Sequence, residues 1–286
     1  MIDADVARAF ADRERRERKN QSSVVRRVRG AMAPLRMRPG YLVIGAQKAG
    51  TTTLEHYLDR HPEIGGPYRK EVHYFDINAW RSPRWYLGHF PLKRSGGPRL
   101  AGEASPYYLF HPVAHERAHR LLPDVRLVVL LRDPVARAVS HYNHSRRRGL
   151  ENLPLEEAVE REPERLAGEE ERLRDPRALS GPHRHWSYVS RGRYAEQLER
   201  WLSVYPREQL HVVIAEEFFA RPAEVYRDVL RFLGVSDVDP GEIEAQNVGT
   251  AFAPELDPAT EARLRDAFRP HNERLAALIG RDPGWG

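Results

Sequence analysis

The chain has 286 residues, 41% of them hydrophobic and 30% charged, with 22 prolines and 20 glycines, a balance that builds a sizeable globular core and excludes collagen-like or wholly disordered chains. With no cysteine, disulfides, thiol nucleophiles, iron–sulfur clusters and cysteine zinc sites are excluded together. The net charge of +5 is concentrated in residues 1–38, which hold 11 Lys/Arg against 5 Asp/Glu, so a nucleic-acid reading of the remainder loses its main support.

Residues 1–38 read as a basic arm, partly disordered or helical, with a charged helix over 4–18. A solvated arm is favoured over one that touches nucleic acid or anionic lipid. No apolar run approaches the roughly 18 residues that cross a bilayer, and the N-terminus has no apolar signal core; the expectation is a soluble, cytoplasmic chain without stable membrane insertion. Pro39-Gly40 punctuates the sequence, and 39–286 is expected as one domain.

Residues 41–44 are a short apolar run that ends in the small-residue loop Gly45-Ala-Gln-Lys-Ala-Gly-Thr-Thr-Thr53. Leu54, Tyr57 and Leu58 then recur at helical spacing, so this unit is strand, loop, helix. Residues 127–131 read as a buried parallel strand closed by Arg132. Asp133-Pro134 supplies a capping residue and a proline at the first helical position, opening a helix through Ser145. Residues 151–178 carry ten Asp/Glu against five Arg and read as a surface insertion, helical in part and outside the core, within a charged surface insertion or lid expected over 151–190. A helix at 194–205 has Leu198, Trp201 and Leu202 on one face, 210–215 is another buried strand, and helices follow at 223–233 and 258–279, with Pro270 as the candidate breakpoint of the second. Strands alternating with helices predict an α/β fold with a mostly parallel central sheet and helices on both faces.

A glycine-bearing loop between a buried strand and a helix offers backbone N–H groups at the positive end of the helix dipole, and is an anion site. Lys48 adds a charge and Thr51, Thr52 and Thr53 add hydroxyls, so phosphate is the natural ligand. In nucleotide triphosphatases the lysine follows the last glycine of the loop; here Lys48 precedes Gly50, and the second strand ends in Arg132 where a magnesium carboxylate would be expected. Arg132 and, eight residues on, Ser140 suit a second phosphate. Two phosphate sites at adjacent strand ends point to a ligand phosphorylated at both ends.

The loop 45–53 and Arg132-Asp-Pro-Val-Ala-Arg-Ala-Val-Ser140 closely resemble the 5′-phosphosulfate loop and the 3′-phosphate motif of sulfotransferases that use 3′-phosphoadenosine 5′-phosphosulfate (PAPS). The likeness extends to Lys70-Glu-Val-His-Tyr-Phe-Asp76, Gly102-Glu-Ala-Ser-Pro-Tyr107 and Gly192-Arg-Tyr-Ala-Glu-Gln-Leu-Glu-Arg-Trp201, and is similar to the heparan sulfate N- and O-sulfotransferase branch. The resemblance implies a P-loop-like three-layer sandwich and sulfo transfer from PAPS, without a metal, to a hydroxyl, less readily an amine, of a carbohydrate or small natural product. It implies that Lys48 steadies the leaving group and that Ala49, Gly50, Thr51, Thr52 and Thr53 line the 5′-phosphate. Arg132 and Ser140 would hold the 3′-phosphate. Glu71 matches the catalytic base, His73 and Asp76 match acceptor-site positions of the 3-O-sulfotransferases, and Tyr194 and Phe252 are further nucleotide candidates.

Each residue also has a plainer reading: Glu71 as an ion-pair partner of Lys70, His73 as a packed polar side chain, Tyr194 and Trp201 as core. The chain departs from the pattern in having Ala104 where several heparan-type relatives carry lysine, and in lacking their C-terminal disulfide and Lys-Gly-Arg nucleotide loop. Two rivals are a P-loop kinase of a small metabolite and a non-catalytic binding module that works through its basic arm.

Overall fold

The structure is a computed structural model and describes residues 24–241, 244 and 256–285. The helix expected over 4–18 and the candidate Phe252 lie outside the described residues. Five strands, β1 (Tyr41–Gly45), β2 (Ile64–Gly65), β3 (Leu100–Ala104), β4 (Arg126–Leu131) and β5 (Leu210–Ile214), form an all-parallel sheet in the order β2-β3-β1-β4-β5. The helices in chain order are α1 (Val24–Ala31), α2 (Thr51–Arg60), α3 (Pro83–Leu87), α4 (Ala114–Leu121) and α5 (Pro134–Arg147). There follow the short helices α6 (Leu155–Glu160), α7 (Glu162–Leu166), α8 (Glu169–Arg172) and α9 (Gly181–His185), then α10 (Tyr194–Leu202), α11 (Ala215–Ala220), α12 (Pro222–Leu233) and α13 (Pro258–Ile279). This is the α/β fold with a central parallel sheet that the alternating pattern predicts.

The chain forms two compact units. The sheet unit is built from Val24–Arg132 and the described part of Leu198–Val248. β1 lies between β3 and β4, with Val43 opposite both Ala104 and Val128. β1 and all but the first residue of β4 are buried, which is why they read as unbroken apolar runs. β3 was not legible as a strand because its sequence, Leu-Ala-Gly-Glu-Ala, is small and carries a charge. Its Gly102 pairs with Tyr41, and a Cβ there would lie 2.3 Å from the Tyr41 ring; glycine lets the ring lie on the strand.

Part of the basic arm belongs to this unit and is docked where solvation was expected. Arg29 Nε donates to the Gly88 carbonyl at 2.8 Å. Arg36, 5% exposed, donates to the carbonyls of Phe90 at 2.6 Å and Arg29 at 3.2 Å. These guanidiniums satisfy backbone carbonyls, so part of the positive charge is structural. Among the described residues no helix is long and apolar enough to cross a membrane.

The other unit comprises Asp133–Gln197 and the described part of Gly249–Gly286. Asp133 caps α5, its carboxylate accepting from the amides of Val135 at 2.8 Å and Ala136 at 3.4 Å, and Pro134 occupies the first turn as its spacing predicts. Against the expectation that 151–178 lies outside the core, Leu155 and Ala158 bury together with Ala138, Tyr142, Leu150, Trp186 and Tyr188. The acids of this segment are partly internal. Glu151 receives Arg165 at 2.7 and 3.2 Å and the Tyr188 hydroxyl at 3.0 Å, and Glu162 receives the amides of Val189 and Ser190, each at 2.7 Å. The charge count misleads because these carboxylates replace water by internal donors. α13 continues through Pro270 without a break.

Gly102→Ala should lower stability by about 1–3 kcal/mol, the usual cost of overpacking a tight site, read as a fall in the urea midpoint at unchanged slope. An unchanged midpoint would mean that the Tyr41 ring yields freely.

Candidate active site

β1 delivers the chain into a turn at 46–50. The Ala46 amide donates to the Leu130 carbonyl at 2.6 Å and the Ala49 amide to the Ala46 carbonyl at 3.2 Å. Lys48 (φ 72°) and Gly50 (φ 92°) are left-handed. Gly50 caps α2, and a Cβ on it would sit 2.8 Å from Phe219, so the position requires glycine on two counts. The first turn of a helix has no internal partners for its N–H groups, and Gly50, Thr51 and Thr52 stand at that end of α2. Three adjacent donors at the positive end of a ten-residue helix make a site for a phosphate-like anion. Ala49, Thr51 and Thr53 are buried, while Lys48 and Thr52 are half-buried.

Arg132, half-buried at the end of β4, donates from Nη1 to the Lys48 carbonyl at 3.1 Å. The structure therefore joins two sequence motifs that are 84 residues apart, with Arg132 bracing the left-handed Lys48 peptide. Ser140 and Tyr194 belong to the other unit. Ser140 is half-buried on α5, and Tyr194 is 1% exposed at the start of α10 with its ring 5.8 Å from Trp285.

The second cluster is the loop 71–76. His73 lies between two carboxylates, with Nδ1 2.8 Å from Asp76 Oδ2 and Nε2 3.2 Å from Glu71 Oε2. Asp76 is buried, His73 is largely buried and Glu71 is half exposed. Burial alone would push the Asp76 pKa up, but His73, His111 and the Ile77 amide outweigh it and hold the carboxyl below its ordinary value. An ionised Asp76 fixes a proton on His73 Nδ1, so the bond to Glu71 needs one proton shared between Nε2 and the Glu71 carboxylate. The outer carboxylate of such a chain can take a proton from a nucleophile, and the imidazole can absorb the change in charge.

The loop is held from β3. Glu103 is 1% exposed. Its Oε2 accepts the Val72 amide at 3.1 Å and the Ser105 hydroxyl at 2.8 Å, and its Oε1 accepts the hydroxyls of Tyr86 at 2.8 Å and Tyr108 at 2.9 Å. Burial pushes the Glu103 pKa up, against the pull of the Ser105, Tyr86 and Tyr108 hydroxyls. Ser105 Oγ in turn accepts the His73 amide at 3.1 Å, and Tyr108 OH accepts the Tyr74 amide at 2.7 Å. Glu103 and Ser105 lie in a sequence motif that does not show their role; the signal present was an acid inside a small-residue strand, two positions from a hydroxyl and so on its side of the pleat.

Lys70 is not the partner of Glu71: its ammonium lies 3.5 Å from Glu55 Oε2 on α2. Glu55 is 6% exposed, and its Oε1 has no hydrogen-bond partner among the described residues. Burial, opposed by Lys70 and reinforced by Asp59 and Glu71, pushes its pKa up to about 7.

The sequence model described as Sulfotransferase domain matches residues 38–248. The membrane-associated sulfotransferase kil1 of Dictyostelium discoideum is 27% identical, over 96% of this chain and 72% of its own length. Heparan sulfate glucosamine 3-O-sulfotransferase 6 of Homo sapiens is 28% identical, over 90% of this chain and 76% of its own. The crystal structure of a sulfotransferase from Alicyclobacillus acidocaldarius superposes with a TM-score of 0.68 at 36% identity, covering 86% of this chain and 97% of that one.

The raised Glu55 pKa carries a stability prediction. The folded state binds this proton more tightly than the unfolded state, so stability falls as pH rises from the ordinary carboxylate range through about 7. The full effect is bounded at about 3 kcal/mol. Glu55→Gln should flatten that decline and raise the urea midpoint at pH 8; a variant with wild-type pH dependence would place the titration elsewhere.

Proposed function

We propose, since this chain belongs to the sulfotransferase family, that it moves the sulfo group of PAPS to a hydroxyl, in second place an amine, of a carbohydrate or small natural-product acceptor. The observation that carries this reading is the Asp76–His73–Glu71 chain, anchored by Ser105, whose amide hydrogen-bonds β1 at the Val43 carbonyl, the strand that runs on into the anion loop.

The residues present fit a bisphosphorylated nucleotide. The amides of Gly50, Thr51 and Thr52, with the hydroxyls of Thr51 and Thr52, would hold the 5′-phosphate, and Ala49 and Thr53 pack behind them. Arg132 and Ser140 would hold the 3′-phosphate, the group that distinguishes this donor from ATP. Lys48 would meet the charge that grows on the bridging oxygen as the S–O bond breaks, where preorganised donors act most strongly. When bound, PAPS supplies an activated sulfo group, and sulfo transfer calls on no metal from the protein.

Glu71 would take the proton of the acceptor as its oxygen attacks sulfur, with His73 between the two carboxylates sharing the charge. His73 and Asp76 would also orient the acceptor. Tyr194, buried against Trp285, would contribute by packing the nucleotide side. A carbohydrate acceptor is supported by the 3-O-sulfotransferase relative, whose name gives a glucosamine of heparan sulfate as its substrate.

Isothermal titration separates the readings. Adenosine 3′,5′-bisphosphate should bind without magnesium, and AMP at least about tenfold more weakly, since the lost phosphate contacts are charge-assisted. Equal binding of AMP would remove the 3′-phosphate site, and preferential binding of magnesium ATP would favour a kinase.

A further inference from the structure

Three consecutive amides of the loop that carries Glu71 and His73 end on one buried carboxylate. The Val72 amide reaches Glu103 directly. The His73 amide reaches Ser105 Oγ, and the Tyr74 amide reaches Tyr108 OH. Each of these hydroxyls accepts an N–H, so its own proton is free to be donated onward, and both donate to Glu103. Tyr86 fills the remaining position on Oε1. Four donors converge on two oxygens of a side chain that is 1% exposed, and only an ionised carboxylate accepts from all of them.

This concentration of acceptors matches a need of the backbone. Glu71 (φ 50°) and His73 (φ 53°) are both left-handed and are not glycine, a conformation that persists only where the surroundings over-determine it. The two strained residues are also those whose side chains meet, Glu71 Oε2 at 3.2 Å from His73 Nε2. Asn78 ties the other side of the loop, its side chain donating to the Val72 carbonyl at 3.0 Å and its amide to the His73 carbonyl at 2.8 Å. Val72 is thus gripped at both its N–H and its C=O, between the two residues that must face each other.

We propose that Glu103 is the positioning residue of the reaction, acting through Val72, Ser105 and Tyr108 to keep the Glu71 carboxylate on the His73 imidazole; this rests on the reading of Glu71 as base. Glu103 touches neither donor nor acceptor. A glutamine in its place presents one acceptor and one N–H₂ group, so either the Val72 amide or the pair of tyrosine hydroxyls faces a donor. The loop then loses the hold on its left-handed residues, and Glu71 swings from His73.

The test uses PAPS with water in place of the acceptor. Water loses a proton and its oxygen attacks sulfur, the S–O bond breaks, and sulfate and adenosine 3′,5′-bisphosphate are released. With enzyme in excess, wild type, Glu71→Gln, Glu103→Gln and the double variant are compared. Glu71→Gln should slow release by about 10²-fold, the usual contribution of a general base. Glu103→Gln should do the same within about tenfold, as misplacement by an ångström does, and the double variant should be no slower than Glu71→Gln. Adenosine 3′,5′-bisphosphate affinity should stay within about twofold, because the anion loop has its own supports, and the ¹⁵N signals of the His73 imidazole should shift. Losses that multiply in the double variant, or an unchanged rate and unchanged His73 signals in Glu103→Gln, would overturn the role. If Glu71→Gln releases product at the wild-type rate, the base reading fails by itself, and the His73 signals alone then judge Glu103. Should Glu103→Gln fail to fold, Ser105→Ala, which removes only the acceptor of the His73 amide, must still move those signals; if it does not, the proposal is wrong.

Discussion

The hydrogen bond from Arg132 Nη1 to the Lys48 carbonyl is possible only because β4 runs parallel to β1 and beside it. In a parallel sheet all carboxyl ends lie on one edge, and loops leaving neighbouring strands start within a few ångströms of each other. Here three neighbours, β3, β1 and β4, bring Glu103 and Ser105, the anion loop and Arg132 to the same edge. The bridge from the Ser105 amide to Val43, at 3.1 Å, joins the first of these to the second, and the Arg132 bond joins the second to the third. The order of the strands thus places the chemistry before any side chain is considered.

Charge on this edge is divided by sign. The anion loop offers N–H groups, Lys48 and Arg132, whereas the loop 71–76 offers carboxylates around one imidazole. A donor whose leaving oxygen gains negative charge and an acceptor that loses a proton would need these opposite fields close together and not merged. Burial keeps them distinct: Asp76 and Glu103 are inside, supplied with protein donors, and Glu71 is the carboxylate that reaches solvent. Glu55 shows the cost of a buried acid with one oxygen unpartnered, since its proton affinity rises until it titrates near neutrality.

Much of the sheet could be read from the sequence, and for a definite reason. β1, β4 and β5 are apolar runs flanked by small or capping residues, and Asp133-Pro134 marks the start of α5 by local chemistry alone. β2 and β3 were not legible: one has two residues, and the other fills its place with Gly102 because Tyr41 needs the room. The strand, turn and helix start at 45–53 were legible because such a turn needs only glycine between an apolar run and a helix. The support of Glu71 was not, since Glu103 gathers donors from Val72, Tyr86, Ser105 and Tyr108, up to 31 residues away. Local composition also misjudged 151–178, where Leu155 and Ala158 join a core completed by aromatic residues that follow the charged stretch, and Glu151 and Glu162 are bonded internally.

A crystal structure with adenosine 3′,5′-bisphosphate measures the central claim most directly. The expected result has the 5′-phosphate on the amides of Gly50, Thr51 and Thr52 with the Lys48 ammonium turned toward it, and the 3′-phosphate on Arg132 and Ser140. A nucleotide seated away from those amides, or one whose 3′-phosphate faces solvent while Arg132 holds only the Lys48 carbonyl, would contradict it.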